Sequence, residues 1–179
     1  GYLGHSTAPL LLVTPFLLLL LPHLESRYGI APLLPGEEVL MTVTRTSSAD
    51  DSRPTLNCPS GIQPLTPAIR TPEPGAYAWR LRIEEAGIHE VTIVDGAERF
   101  TKRISAAGGP PISPRRVSTD EPGEIVLWPG EPPLPTESRI RRIEVDHRPG
   151  KIPIGSQRHR WYVYYLLDTI VLGAGLFLA

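Results

Sequence analysis

The feature that most constrains this chain is the placement of its apolar residues. Gly1–Pro22 holds no Asp, Glu, Lys or Arg, and its centre is Leu10-Leu11-Leu12-Val13-Thr14-Pro15-Phe16 followed by Leu17 to Leu21. A second run, Trp161 to Ala179, carries Asp168 as its single charge. All 18 Lys and Arg, and 18 of the 19 Asp and Glu, lie between His23 and Arg160. An overall hydrophobic content of 41% would suit an ordinary globule, but apolar ends around a polar middle do not.

Each end reads as a transmembrane helix. At about 1.5 Å per residue, 22 residues reach roughly 33 Å, against a hydrocarbon core of about 30 Å. Pro9 and Pro22 mark limits for the first helix, and Pro15 would kink it. A signal peptide would show a basic start and a small-residue cleavage site, neither of which is visible. A soluble helix would show a polar face, and Leu17 to Leu21 leaves none. At the second end the order is basic, aromatic, apolar. Arg158, His159 and Arg160 are placed for lipid phosphates, and Trp161, Tyr162, Tyr164 and Tyr165 for an interfacial belt. Asp168, an intramembrane polar residue on this reading, would sit just below the interface or face a neighbouring helix, or else carry a proton or ion. Gly173-Ala174-Gly175 offers a small surface for close helix approach. The chain starts at Gly1 and stops inside an apolar run, so it reads as a piece of a longer or processed protein.

Between the ends, strand signals dominate, and 21 prolines argue against a mostly helical fold. Glu38 to Thr44 follows the turn residues Pro35-Gly36. In Tyr77 to Ile83, Tyr77, Trp79, Leu81 and Ile83 alternate with Arg80 and Arg82, the period-two pattern of a strand with one buried face. After Glu84–Gly87, His89, Val91 and Ile93 share a face. Asp95-Gly96 then marks a hairpin, and Phe100 and Ile104 share a face on the return. The expected core is Val39, Met41, Val43, Tyr77, Trp79, Leu81, Val91, Ile93, Phe100 and Ile104. A fainter strand signal surrounds Thr55-Leu56-Asn57.

The series Pro74-Gly75-x-Tyr77, Gly87-Ile88-His89-x-Val91-x-Ile93, Asp95-Gly96 and Phe100 to Ile104 resembles the last three strands of a bacterial immunoglobulin-like or fibronectin-like module. The resemblance covers residues 74–105 and implies an antiparallel β-sandwich used for adhesion, spacing or assembly, without catalytic residues. A Cys pair bridging the sheets is missing, because Cys58 is the one cysteine.

Composition changes at Gly108-Gly109-Pro110-Pro111. From there to Arg160 prolines are dense and large apolar residues sparse, with strand candidates at Glu124–Trp128 and Ile140–His147. Ordering each residue costs about 1–2 kcal/mol of backbone entropy. About a dozen large apolar groups, each stabilising by roughly 1.5–3 kcal/mol when buried, cannot hold this stretch alone. Trp128 and Leu134 are the expected anchors for docking against the sandwich and a further subunit.

The chemistry of sites is sparse. A blue-copper loop needs Cys, His and Met close together, whereas Cys58 is followed by Pro59-Ser60-Gly61 and the single Met is Met41. His5, His23, His89, His147 and His159 are too scattered for a zinc module. No phosphate-binding Gly loop or Ser-His-Asp order stands out. A net charge of −1 gives no field for nucleic acid. The sequence therefore predicts no catalytic residue, cofactor or metal.

The expected organisation is a transmembrane helix (1–22), a β-sandwich domain (23–107), a proline-rich extension with short strands (108–160) and a second transmembrane helix (161–179). The fold class is mainly β, an immunoglobulin-like sandwich flanked by two membrane helices. The expected protein is an integral membrane one, its domain extracytoplasmic and its partners the lipid bilayer and other protein subunits. Its expected function is that of a non-catalytic structural or interaction subunit of a larger complex. The alternative is a transport or energy-coupling subunit that uses Asp168.

Overall fold

A computed structural model describes residues 29–46, 52–110, 112–127, 130–148, 152–154 and 157–159, together with Leu20 and Leu24. The strands are β1 (Glu38–Arg45), β2 (Thr55–Asn57), β3 (Ile62–Pro64), β4 (Ile69–Arg70), β5 (Ala76–Ile83), β6 (Gly87–Asp95), β7 (Glu98–Ala106), β8 (Arg115–Val117), β9 (Ile140–Val145), β10 (Ile152–Ile154) and β11 (Gln157–His159). A short helix, α1 (Pro122–Leu127), lies between β8 and β9.

Two antiparallel sheets share one core. The larger runs β3-β5-β1-β9-β8, with β4 also on β5, and the smaller runs β2-β6-β7. β1 is central because both its neighbours match its alternation. Met41 stands opposite Trp79 and Val145, and Val43 opposite Tyr77 and Ile143. The smaller sheet answers with Val91, Ile93, Phe100 and Ile104. All ten residues expected in the core are buried. β6 and β7 form the hairpin expected at Asp95-Gly96, with Asp95 opposite Glu98. Gly96 takes φ = 63°, which the first central position of a type II′ turn requires. β5 and β6 are separated by residues 84–86 alone, yet they belong to different sheets. That short link folds one sheet onto the other.

The residues expected as a proline-rich extension supply β8 and β9 to the larger sheet. β9 is not peripheral, because it lies between β1 and β8. Leu134, Ile140, Ile143 and Val145 join the common core. The stretch expected as a strand at Glu124–Trp128 is instead helical from Pro122 to Leu127, and Trp128 lies outside the described residues. Proline fits the first turn of a helix, where its missing N–H would have no intrahelical partner. The following run of three apolar residues does not distinguish the two states.

The expectation of a sandwich flanked by two membrane helices, and with it an integral membrane protein, is corrected. Among the described residues no helix is long and apolar enough to cross a membrane. α1 has six residues, about 9 Å of rise, where a span needs about 20 residues. The segments 1–22 and 161–179 lie outside the described residues, save Leu20.

The sheet edges are blunted. β3 ends in Pro64 and is followed by Pro67, so this edge lacks donors that a further strand would need. β2 is three residues long and flanked by Pro54 and Pro59.

Candidate functional site

The charged side chains converge where β7 faces the segment 130–134. Along β7, Phe100, Lys102, Ile104 and Ala106 point inward by alternation, so Lys102 enters the interior with its apolar neighbours. It is 0% exposed. Its Nζ donates to the carbonyl of Ser113 at 2.5 Å and to the carboxylate of Glu131. Glu131 is itself buried and also accepts from the backbone N–H of Arg103 at 3.0 Å. Burial holds the Lys102 ammonium below the ordinary lysine range, and Glu131 pulls it back up. Leu134 then seals the same segment into the core at 0% exposure, its N–H donating to the carbonyl of Val117 at 2.8 Å.

Outward from this pair, β7 carries a row of cations. Arg103 donates from Nη2 to the carbonyl of Gly130 at 3.1 Å, and its Nε stands 3.8 Å from Glu131. Arg116, on β8, donates from Nε to the carbonyl of Pro132 at 2.8 Å and from Nη1 to the carbonyl of Thr101. Arg99 is exposed and makes no hydrogen bond or ion pair among the described residues. Burial and the neighbouring charge of Arg103 lower the pKa of Arg116, with Glu131 opposing. At Thr101 and Arg103 the edge of β7 is therefore capped by side chains, while at Ala106 the backbone of Leu33 bridges it in parallel.

A second buried pair closes the opposite end of the sandwich. Arg45, at the end of β1, donates from Nε to Asp95 Oδ2 at 2.8 Å and from Nη2 to Oδ1. It also stacks 5.3 Å from the Tyr77 ring centroid. Asp95 ends β6, so the pair joins the two sheets.

At the end where Gly29 and Arg148 lie, His147 borders two hollows. One, of about 190 Å³, is lined by Ile30, Pro32, Ser105, Gly109 and Ile112, among others. The other, of about 530 Å³, is an open cleft beside Glu37, Glu38, Leu40, Asp146 and Arg148. His147 Nδ1 stands 2.8 Å from the carbonyl of Val145, so Nδ1 carries the proton in the neutral ring. Among the described residues no group of three or more His, Cys, Asp and Glu is placed to hold a metal ion. Cys58 packs half-buried against the core, and burial pushes its thiol up to about 11.

Few of the residues expected to act from sequence meet here. Leu134 is held inside the chain's own core, where a partner cannot reach it. Arg158 and His159 fall in β11, which pairs with β10. Arg160, Trp161, Tyr162, Tyr164, Tyr165 and Asp168 lie outside the described residues, as does Trp128. Sequence reasoning missed Lys102, Glu131, Arg103 and Arg116. The signal for Lys102 was its phase, midway between Phe100 and Ile104 on the inward face. Glu131 sits among glycine and prolines and gave none.

The fold and site define a two-sheet β-domain with a charged seam along one side. Comparison with protein-family models, curated proteins and solved structures returned no match.

Proposed function

We propose that this domain is a non-catalytic interaction or assembly module, of the immunoglobulin-like kind that residues 74–105 resemble, and a subunit of a larger protein complex. The observation that carries this reading is where the chain enters and leaves. Ala31 donates its N–H to the carbonyl of Arg148 at 2.9 Å, so the two connections to the rest of the chain lie side by side. The far end carries the exposed Gly96 turn above the buried Arg45–Asp95 pair. A module tethered by one end presents its other end and its flanks to a partner. The blunted edges fit this arrangement, since they prevent strand-to-strand association and leave recognition to side chains.

The test is the native mass of the full chain in extracts of its source cells. A module in an assembly migrates in a particle well above 19.7 kDa, and the particle's other subunits co-purify in fixed ratio. A chain that migrates alone, at every concentration and salt tested, overturns the proposal.

A further inference from the structure

We infer that the outer side of β7, through Arg99, Arg116 and Arg103, is a docking surface for an extended acidic segment of a partner protein. This rests on the reading of the domain as an interaction module and names the chemistry of what it binds.

Charge and spacing together point to this occupant. Glu131 is the one carboxylate buried in the seam, and it is already committed to Lys102 and to the Arg103 N–H. Lys102, Arg103 and Arg116 surround it, so the seam carries two positive charges that Glu131 does not balance. Glu90 stands opposite Arg103 on β6 but makes no ion pair with it among the described residues. Arg99 adds a further cation, so these groups together stay at +2, in a chain whose net charge is −1.

The cations are also set out in line. Arg99, Thr101 and Arg103 alternate to one side of β7, and Arg116 reaches the Thr101 carbonyl from β8. The row therefore runs Arg99, Arg116, Arg103. Residues two apart on a strand are separated by about 6.6 Å, so Arg99 and Arg103 stand roughly 13 Å apart. An extended peptide has the same pitch, and carboxylates at every second residue would match the row. Arg116 and Arg103 are held by backbone carbonyls, which limits the side-chain entropy lost when a ligand binds. The Arg103 N–H and the Thr101 carbonyl are already satisfied by Glu131 and Arg116. A partner strand therefore cannot extend the sheet there, and recognition falls to the guanidinium groups, which bind carboxylates through paired N–H donors.

The test uses the full chain and a fluorescein-labelled peptide of alternating Glu and Thr, about the length of β7, with a Gln–Thr peptide as its control. Fluorescence anisotropy should show saturable binding of the Glu peptide only, weakened by raising the salt from about 50 to about 300 mM. Arg99 is exposed and makes no hydrogen bond or ion pair among the described residues, so Arg99→Glu should weaken binding at least about tenfold with the thermal midpoint unmoved. Arg99→Gln/Arg103→Gln should abolish it. Arg80→Gln/Arg82→Gln, on the outer face of the other sheet, should leave it within about twofold. Equal loss in the Arg80/Arg82 variant would show diffuse attraction and overturn the site. So would tighter binding of a single-stranded oligonucleotide of equal charge, or dimerisation of the chain that the Arg99 and Arg103 changes abolish. If the peptide fails to bind while the native particle persists in the Arg99/Arg103 variant, the surface is wrong and the module reading stands.

Discussion

The two halves of this domain are held by different forces. β5, β6 and β7 join by short turns, and together with β1 they bury aliphatic and aromatic side chains by alternation. The stretch from Gly108 to Leu134 crosses between the sheets with few large apolar groups. It is fixed by Leu134, by Lys102 and Glu131, and by arginines that bond to backbone carbonyls. Apolar burial is tolerant of detail and fades gradually as volume is removed. A buried ion pair is not, since each charge is costly without the other. The first half should therefore lose stability in proportion to what is cut away, and the second in proportion to what is left unmatched.

The largest effect tests the apolar half. Trp79 is buried opposite Met41 in the middle of the larger sheet. Trp79→Ala should cost about 3–5 kcal/mol, the range for emptying a large aromatic site, and no single second change should restore it. Denaturant titration checks this, and a midpoint within error of the parent would break the assignment of the core.

The seam should behave otherwise. Glu131→Leu leaves the Lys102 ammonium buried without its counter-charge and should cost about 3 kcal/mol. Burial already lowers the Lys102 pKa, so deprotonation limits the loss. Lys102→Met/Glu131→Leu should recover most of it, to within about 1 kcal/mol of the parent. A double-mutant cycle by the same titration decides the point. If the double variant is as unstable as the single one, the pair contributes net stability, and the contrast between the halves collapses.

Legibility in the sequence follows the same division. The ten core residues were readable because alternation is local, and a strand declares its buried face within a few residues. The strand candidate at Ile140–His147 marked β9 for the same reason. What it did not give was β9's place between β1 and β8, since strand order depends on partners about a hundred residues away. The helix at Pro122–Leu127 was hidden because six residues are too few to separate a 3.6-residue period from a 2-residue one. Lys102 and Glu131 were missed because a buried charge is recognisable only with its partner, and 28 residues of proline-rich chain separate them.

A smaller effect probes the end where β3 meets β6. A Cβ at Gly61 would overlap the His89 ring. That ring lies 2.9 Å from the carbonyl of Glu85, and the N–H of Glu84 donates to the Gly61 carbonyl at 2.8 Å. Gly61→Ala should displace the imidazole and cost about 1 kcal/mol, the usual size for one disturbed contact at a half-exposed site. Gly61→Ala/His89→Ala should regain that loss, because the clash is with a side chain and not with the sheet. A thermal melt of both variants reads the difference.

The smallest expected effect concerns acid, and it separates two groups at the end where the chain enters and leaves. Burial lowers the pKa of His147 from its ordinary 6.5, with Lys102 adding to the shift and Val145, Asp146 and Glu37 opposing it. The fold thus favours the neutral ring. Below 6.5 the unfolded chain binds the proton more readily, so stability falls as pH drops toward the folded value. Glu37 acts lower down. Burial alone would raise its pKa, but the Arg148 guanidinium and the Leu34 N–H outweigh it and leave the carboxyl below its ordinary 4.5. Its contribution is present above 4.5 and is lost as pH falls through the folded value. The acid limb of the stability curve should therefore have two parts. His147→Asn keeps a donor for the Val145 carbonyl and removes the titration, so it should flatten the slope just below 6.5 while leaving the part below 4.5 in place. An unchanged slope in that window would mean that His147 takes up its proton in the fold as easily as in the open chain. The ring would then be solvated, and the hollow it borders would be part of the surface.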